Sequence, residues 1–224
     1  MTPRHPGSDD LQPSAMVNLD IARGDTPFRF EAPDDSFGID LVRSGGLSLA
    51  PVANFEDSRT AKDVGTDLPK VGFSLELGGA VRFQPSENFR LSAELRKGVS
   101  GHEGWVGTAG ADFIVRDGDR WLASIGPRLT WGDDTYHDAW FGVAPADSVP
   151  SGLPAYDPGG GIHAYGATAS VLTQLSRHWG LVAYAKYDRL TGDAADSPIV
   201  LTYGSRDQFW FGAGLTYTFG PALD

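Results

Sequence analysis

The sequence predicts an all-β protein: a transmembrane antiparallel up-and-down β-barrel, about twelve strands when complete. Three observations predict it. Segments of about ten residues alternate apolar and polar side chains, the period of a strand with two different faces. From Arg43 onward short and long connections take turns, the rhythm of short periplasmic turns and longer outside loops. Aromatic residues gather near strand ends, where a membrane interface would hold them.

The first candidate strands are irregular. "LQPSAMVNLDIA" (11–22) alternates Val17, Leu19 and Ile21 with Asn18 and Asp20, and is followed by "PFRFEA" (27–32), "FGIDLVR" (37–43) and "LSLAPVANFE" (47–56). Pro13 and Pro51 weaken the pattern, because proline cannot donate to a ladder. The later strands are clear. "FSLELGGAVRF" (73–83) sets Phe73, Leu75, Leu77, Val81 and Phe83 against Glu76 and Arg82. "FRLSAELRK" (89–97) sets Phe89, Leu91, Ala93 and Leu95 against Arg90, Glu94 and Arg96. "WVGTAGADFIV" (105–115), "WLASIGPRLTW" (121–131) and "HAYGATASVLTQL" (163–175) come next, with Asp112 and Arg128 on the polar faces. "WGLVAYAKYDRL" (179–190) carries Lys186 and Asp188, and "QFWFGAGLTYTF" (208–219) is the last of eleven strands.

The polar faces decide what the apolar faces meet. Glu76, Arg82, Arg90, Glu94, Arg96, Asp112, Arg128, Lys186 and Asp188 are too many charges for a dry core. They are expected to line a lumen while the apolar faces meet lipid. Their signs nearly balance, which favours pairing inside a plugged, rigid barrel over an open pore. Trp105, Trp121, Trp131, Trp179, Tyr187, Tyr217 and Phe219 are the expected interface aromatics. A strand of about ten residues, tilted by about 40°, spans about 25 Å, the height of an outer-membrane apolar band.

Bacterial barrels of one chain use even strand numbers, and eleven is one short. The opening "MTPRHPGSDD" shows no charged and apolar succession of a secretory leader. The expectation is one barrel domain over 1–224, with its first strand and leader absent from this sequence and a short tail at 220–224.

Composition closes several alternatives. A net charge of −11 makes a general nucleic-acid binder unexpected. The absence of cysteine excludes disulfides, cysteine-bound zinc and thiol catalysis. No apolar run is long enough for a transmembrane helix. The histidines scatter over loops and strand ends without a metal-binding spacing. "GHEG" (101–104), with His102 and Glu103, reads as a polar turn. Asp133, Asp134 and Asp138 lack the spacing of a calcium loop. Ser100 and His102 lack a third group to orient them as a hydrolase pair. Neither cofactor, metal nor catalytic residue is expected.

Several stretches resemble the MipA/OmpV family of outer-membrane proteins: "GSDD" (7–10), "SGHEG" (100–104), "GPRLTWGDDTYHDAWFGV" (126–143), "SGLPAYDPGGG" (151–161), "LTGDAADSPIV" (190–200) and "GSRDQFWFGAGLTYTF" (204–219). The resemblance runs in order from Gly7 to Phe219. It implies a non-enzymatic scaffold of the Gram-negative cell envelope, placed in the outer membrane, that joins a lytic transglycosylase of the peptidoglycan to a murein synthase. The ending Gly214-x-x-Tyr217-x-Phe219 is similar to the signal read by the barrel assembly machinery, although "GPALD" comes after it. A narrow channel for small solutes or peptides and a soluble β-barrel binding module remain the alternatives.

Overall fold

A computed structural model describes residues 1–15, 29–118 and 120–219. It opens with a small hairpin, β1 (Thr2–Pro3) and β2 (Leu11–Gln12). Then come β3 (Phe37–Gly38), β4 (Val42–Ser44), β5 (Leu47–Glu56), α1 (Ala61–Val64), β6 (Ser74–Ser86), β7 (Phe89–Gly98), β8 (Trp105–Asp117) and β9 (Trp121–Gly132). After α2 (Asp134–Phe141) and α3 (Pro145–Ser151) come β10 (Gly161–Gln174), β11 (Trp179–Leu190), α4 (Gly192–Asp196), α5 (Pro198–Tyr203) and β12 (Asp207–Tyr217).

Strands β3 to β12 make one antiparallel, ten-stranded, curled sheet. From β5 to β12 each strand pairs with the next in the chain, so the order is up-and-down. The β4–β5 turn needs φ values of 56° at Gly45 and 83° at Gly46, which glycine adopts without steric cost. The chain start runs antiparallel along the outer edge of β12. Met1 and Phe211 exchange backbone hydrogen bonds of 2.7 and 2.9 Å, and Ser8 bridges Gly204.

The two faces of the sheet differ as the alternation requires. Leu77, Val81, Phe83, Leu91, Leu95, Phe113, Ile125, Leu129, Val171 and Leu215 are exposed on the convex face. Of the ionisable residues between them, Glu76, Arg90, Glu94, Arg96, Asp112, Arg128 and Asp188 are buried on the concave face, and Arg82 and Lys186 are half-buried there. The apolar clusters lie mostly elsewhere, under the long connections.

Three early strand expectations differ from the fold. Within 11–22 the strand covers Leu11–Gln12, and 16–22 lies outside the described residues. The 37–43 segment splits into β3 and β4. The described part of 27–32 forms no strand. Its alternation is overruled by the next three residues: Pro33, and then two carboxylates that enter the concave side of the sheet.

The long connections, read as loops, fold into short helices. Asp133 caps α2 by accepting from the Tyr136 N–H at 2.8 Å, and Pro145 and Pro198 start α3 and α5, a position that asks for no backbone donor. These helices bury Trp140, Phe141, Ala194, Ala195 and Val200 in one cluster with Val106 and Leu190 from the strands. The connections therefore form a cap over one end of the sheet.

Candidate functional site

The concave face holds a continuous ionic network. Its strand-borne members are Glu76, Arg82, Arg90, Glu94, Arg96, Asp112, Arg128, Lys186 and Asp188, which meet in space. Arg96 reaches Glu76 at 2.8 Å and Glu94 at 2.7 Å. Arg82 reaches Glu94 at 3.1 Å. Asp112 lies between Arg90 at 3.0 Å and Arg128 at 2.7 Å. Lys186 pairs with Asp188 at 3.1 Å and stands over the Trp210 ring at 4.9 Å.

The segment after β2 completes this network, and sequence reading missed its part. Asp34 grips Arg128 with both oxygens, at 2.8 and 3.0 Å, and accepts from Thr168 at 2.7 Å. Asp35 binds Arg90 and lies 3.7 Å from Arg82. Asp40 reaches Arg82 at 3.4 Å. The strand charges alone set Arg82, Arg90, Arg96, Arg128 and Lys186 against Glu76, Glu94, Asp112 and Asp188, leaving a positive surplus. That surplus, with "PDD" (33–35) in a weak strand, was the available signal. Phe30 points inward with the carboxylates, packs with Ala32 and Ile114, and lies under the Arg90 guanidinium at 5.5 Å. The concave side is thus filled by side chains.

At the cap end, four histidines that scatter in sequence converge. His5 stacks on Trp140 at 6.4 Å, and His102 meets Tyr136 at 4.9 Å. His137 and His163 lie 3.1 Å apart, nitrogen to nitrogen. A register shift between Ile162 and Ala164 leaves both His163 and Ala164 buried. Burial pushes the His5 pKa below its ordinary value and the Tyr136 phenol up.

Glu56, Glu76 and His102 bring three possible metal-ligand atoms within 4.8 Å of one another. The donor set argues for internal hydrogen bonding. His102 Nδ1 accepts from the Gly104 N–H at 3.0 Å, which leaves the ring proton on Nε2, aimed at Glu76 at 3.0 Å. A metal-bound histidine normally donates its second nitrogen to an acceptor, and here that nitrogen faces a donor. Glu103, paired with His102 in the sequence motif, is not among these atoms.

Ser100 and His102 do not pair. Ser100 Oγ accepts from the Leu75 N–H at 3.0 Å and donates to the Phe73 carbonyl at 3.1 Å. Asp133 and Asp134 are engaged with the backbone of Tyr136 and Gly160.

The aromatics expected at a membrane interface fall at the two ends of the strands. Trp105 and Trp131 lie exposed at the cap end, Trp105 under Lys97 at 5.7 Å. Tyr187 sits on the same side, half-buried, its hydroxyl donating to Asp207 at 2.6 Å. Trp121, Trp179, Tyr217 and Phe219 lie exposed at the turn end, with Trp179 edge-on to Tyr217 at 4.9 Å and Tyr217 to Phe219 at 4.7 Å.

Among known proteins, the family model described as MltA-interacting protein MipA matches residues 1–219. Two curated relatives, from Escherichia coli (strain K12) and Shigella flexneri, are each described as MltA-interacting protein and are 29% identical over 94 residues. That alignment takes in 41% of this chain and 35% of each relative, about a third of their length. No solved structure matches the chain.

Proposed function

The chain belongs to the MltA-interacting protein MipA family, and on that premise we propose that it is an outer-membrane β-barrel acting as a non-enzymatic scaffold of the cell envelope, joining a lytic transglycosylase to a murein synthase. One observation carries the membrane part: the polarity of the sheet is inverted. Glu76, Arg90 and Asp112 are about 1% exposed, while Phe113 and Ile125 are more than half exposed. Water would leave that apolar belt unsatisfied, whereas hydrocarbon solvates it. Among the described residues no helix is long and apolar enough to cross a membrane, so strands would have to do so.

Two observations support a scaffold over catalysis or transport. Ser100 and His102, the pair weighed as a hydrolase, spend their hydrogen bonds on structure. The interior is filled by paired charges and the 29–36 segment, which leaves little room for a solute. The partner part rests on the family and on the name of its relatives. The short turns would face a periplasmic enzyme, the capped end would face outward, and the C-terminal strand would be read by the barrel assembly machinery.

The test uses cells making the chain behind a secretory leader. Expected is a product in the outer-membrane fraction whose gel mobility changes on boiling, and which retains a lytic transglycosylase in pull-down. A soluble product with unchanged mobility defeats the membrane reading. A membrane-inserted product that retains neither murein enzyme defeats the scaffold reading alone.

A further inference from the structure

The outer side of the cap holds a cleft of about 650 Å³ between the 57–72 and 132–161 connections, a size typical of small-molecule sites. Arg59 lines it and is 3% exposed. One Arg59 amino group donates to the Trp140 carbonyl at 2.7 Å and the other to the Pro69 carbonyl at 3.4 Å, while Nε has no acceptor. Among the described residues no carboxylate lies in ion-pair range of it. A buried cation without a counter-ion is costly, and burial alone lowers its pKa to about 10.

The same cleft carries the opposite imbalance at its rim. Asp138, Asp147, Asp157 and Lys70 also line it, three carboxylates to one ammonium, and none of them forms an ion pair among the described residues. Burial, and then the neighbouring charges of Asp157 and Asp134, push the Asp138 carboxyl up. The walls between floor and rim are apolar, with Val71, Ala139 and Val143. The buried Arg59 guanidinium and these carboxylates line one cleft without pairing with each other, and the carboxylates outnumber the one lysine among them.

We propose that the cleft binds a small zwitterion of amino-acid or short-peptide size, its carboxylate on Arg59 and its ammonium group at Asp138 and Asp157. Each Arg59 amino group keeps a second N–H beyond its bond to the Trp140 or Pro69 carbonyl, and a carboxylate is the anion that complements a guanidinium. The acidic rim selects against polyanions. The site lies on the cap, away from the turns, so it stands or falls separately from the scaffold reading.

The test is calorimetric titration of the whole chain in detergent micelles with trialanine bearing free termini. The C-terminal amide and the N-acetyl form are the controls. Expected is saturable binding of trialanine, weakened about tenfold to a hundredfold for the amide. The N-acetyl form should lose less, because the rim is wet. Asp138→Asn should weaken trialanine and leave the N-acetyl form unchanged. Arg59→Gln should abolish the preference for acid over amide. Because Arg59 also holds the end of α2 through Trp140, that variant could misfold, and the ligand series on the unmodified chain decides alone. Equal binding of acid and amide, or no saturable binding of trialanine, overturns the proposal.

Discussion

Asp112 holds two guanidinium groups at once, Arg90 at 3.0 Å and Arg128 at 2.7 Å, with 1% of its surface exposed. Removing one member of a buried ionic set strands the charges left behind. Asp112→Ala is expected to cost about 3–5 kcal/mol in unfolding from detergent micelles. Asp117, whose Arg120 partner is 84% exposed, should tolerate alanine to within about 1 kcal/mol. The residue scale also carries a pH effect. Burial is the main cause that lowers the His5 pKa, the hydrogen bond to the Pro6 carbonyl opposes it, Arg59 and Arg4 add to the lowering and Asp63 opposes it. An unfolded His5 gains its proton near its ordinary value of 6.5, while the folded ring resists. Stability of the cap should therefore be complete above about pH 6.5 and fall as the pH drops below it. Quenching of Trp140 fluorescence by an added quencher, monitored from pH 7.5 to about pH 5, checks this, and His5→Phe should reduce the acid response.

At the scale of elements, the segment 29–36 and the helical cap matter most. Both were invisible as such in the sequence. Alternation in "PFRFEA" satisfies a strand pattern, but a segment needs a free ladder edge to become a strand, and local periodicity says nothing about edges. The charge balance of distant strands decided its place, since Asp34 answers Arg128 over a separation of 94 residues. Replacing both Asp34 and Asp35 by alanine should loosen the filling of the interior. Planar-bilayer recording of that variant is expected to show open events that the unmodified chain lacks. The cap helices were missed for another reason. Four to eight residues give too few turns for a helical period to stand out, and their stability comes from packing Trp140 and Phe141.

At the scale of the whole molecule, the inverted sheet makes the sharpest prediction. Ile125 is 58% exposed on the convex face. If hydrocarbon bathes that face, Ile125→Lys near mid-strand costs about 2–4 kcal/mol in lipid. On a water-exposed surface the same change would fall within about 0.5 kcal/mol. Reversible unfolding from phospholipid vesicles separates the two. Trp121 and Trp131 bracket this residue ten positions apart on β9, which gives a belt of about 25 Å at a tilt of about 40°.

The amino-acid order by itself determined which residues are strands from β5 onward, which face of each is polar, and that the long connections share one end. Those are consequences of a two-residue period and of turn spacing, both local. Only the tertiary structure decided that Asp34 and Asp35 close the ionic network, that four histidines meet under Trp140 and Tyr136, and that Arg59 is buried without an anion. Such facts depend on which distant segments share a volume. A carboxylate or imidazole finds its partner by charge and space, and neither leaves a period along the chain.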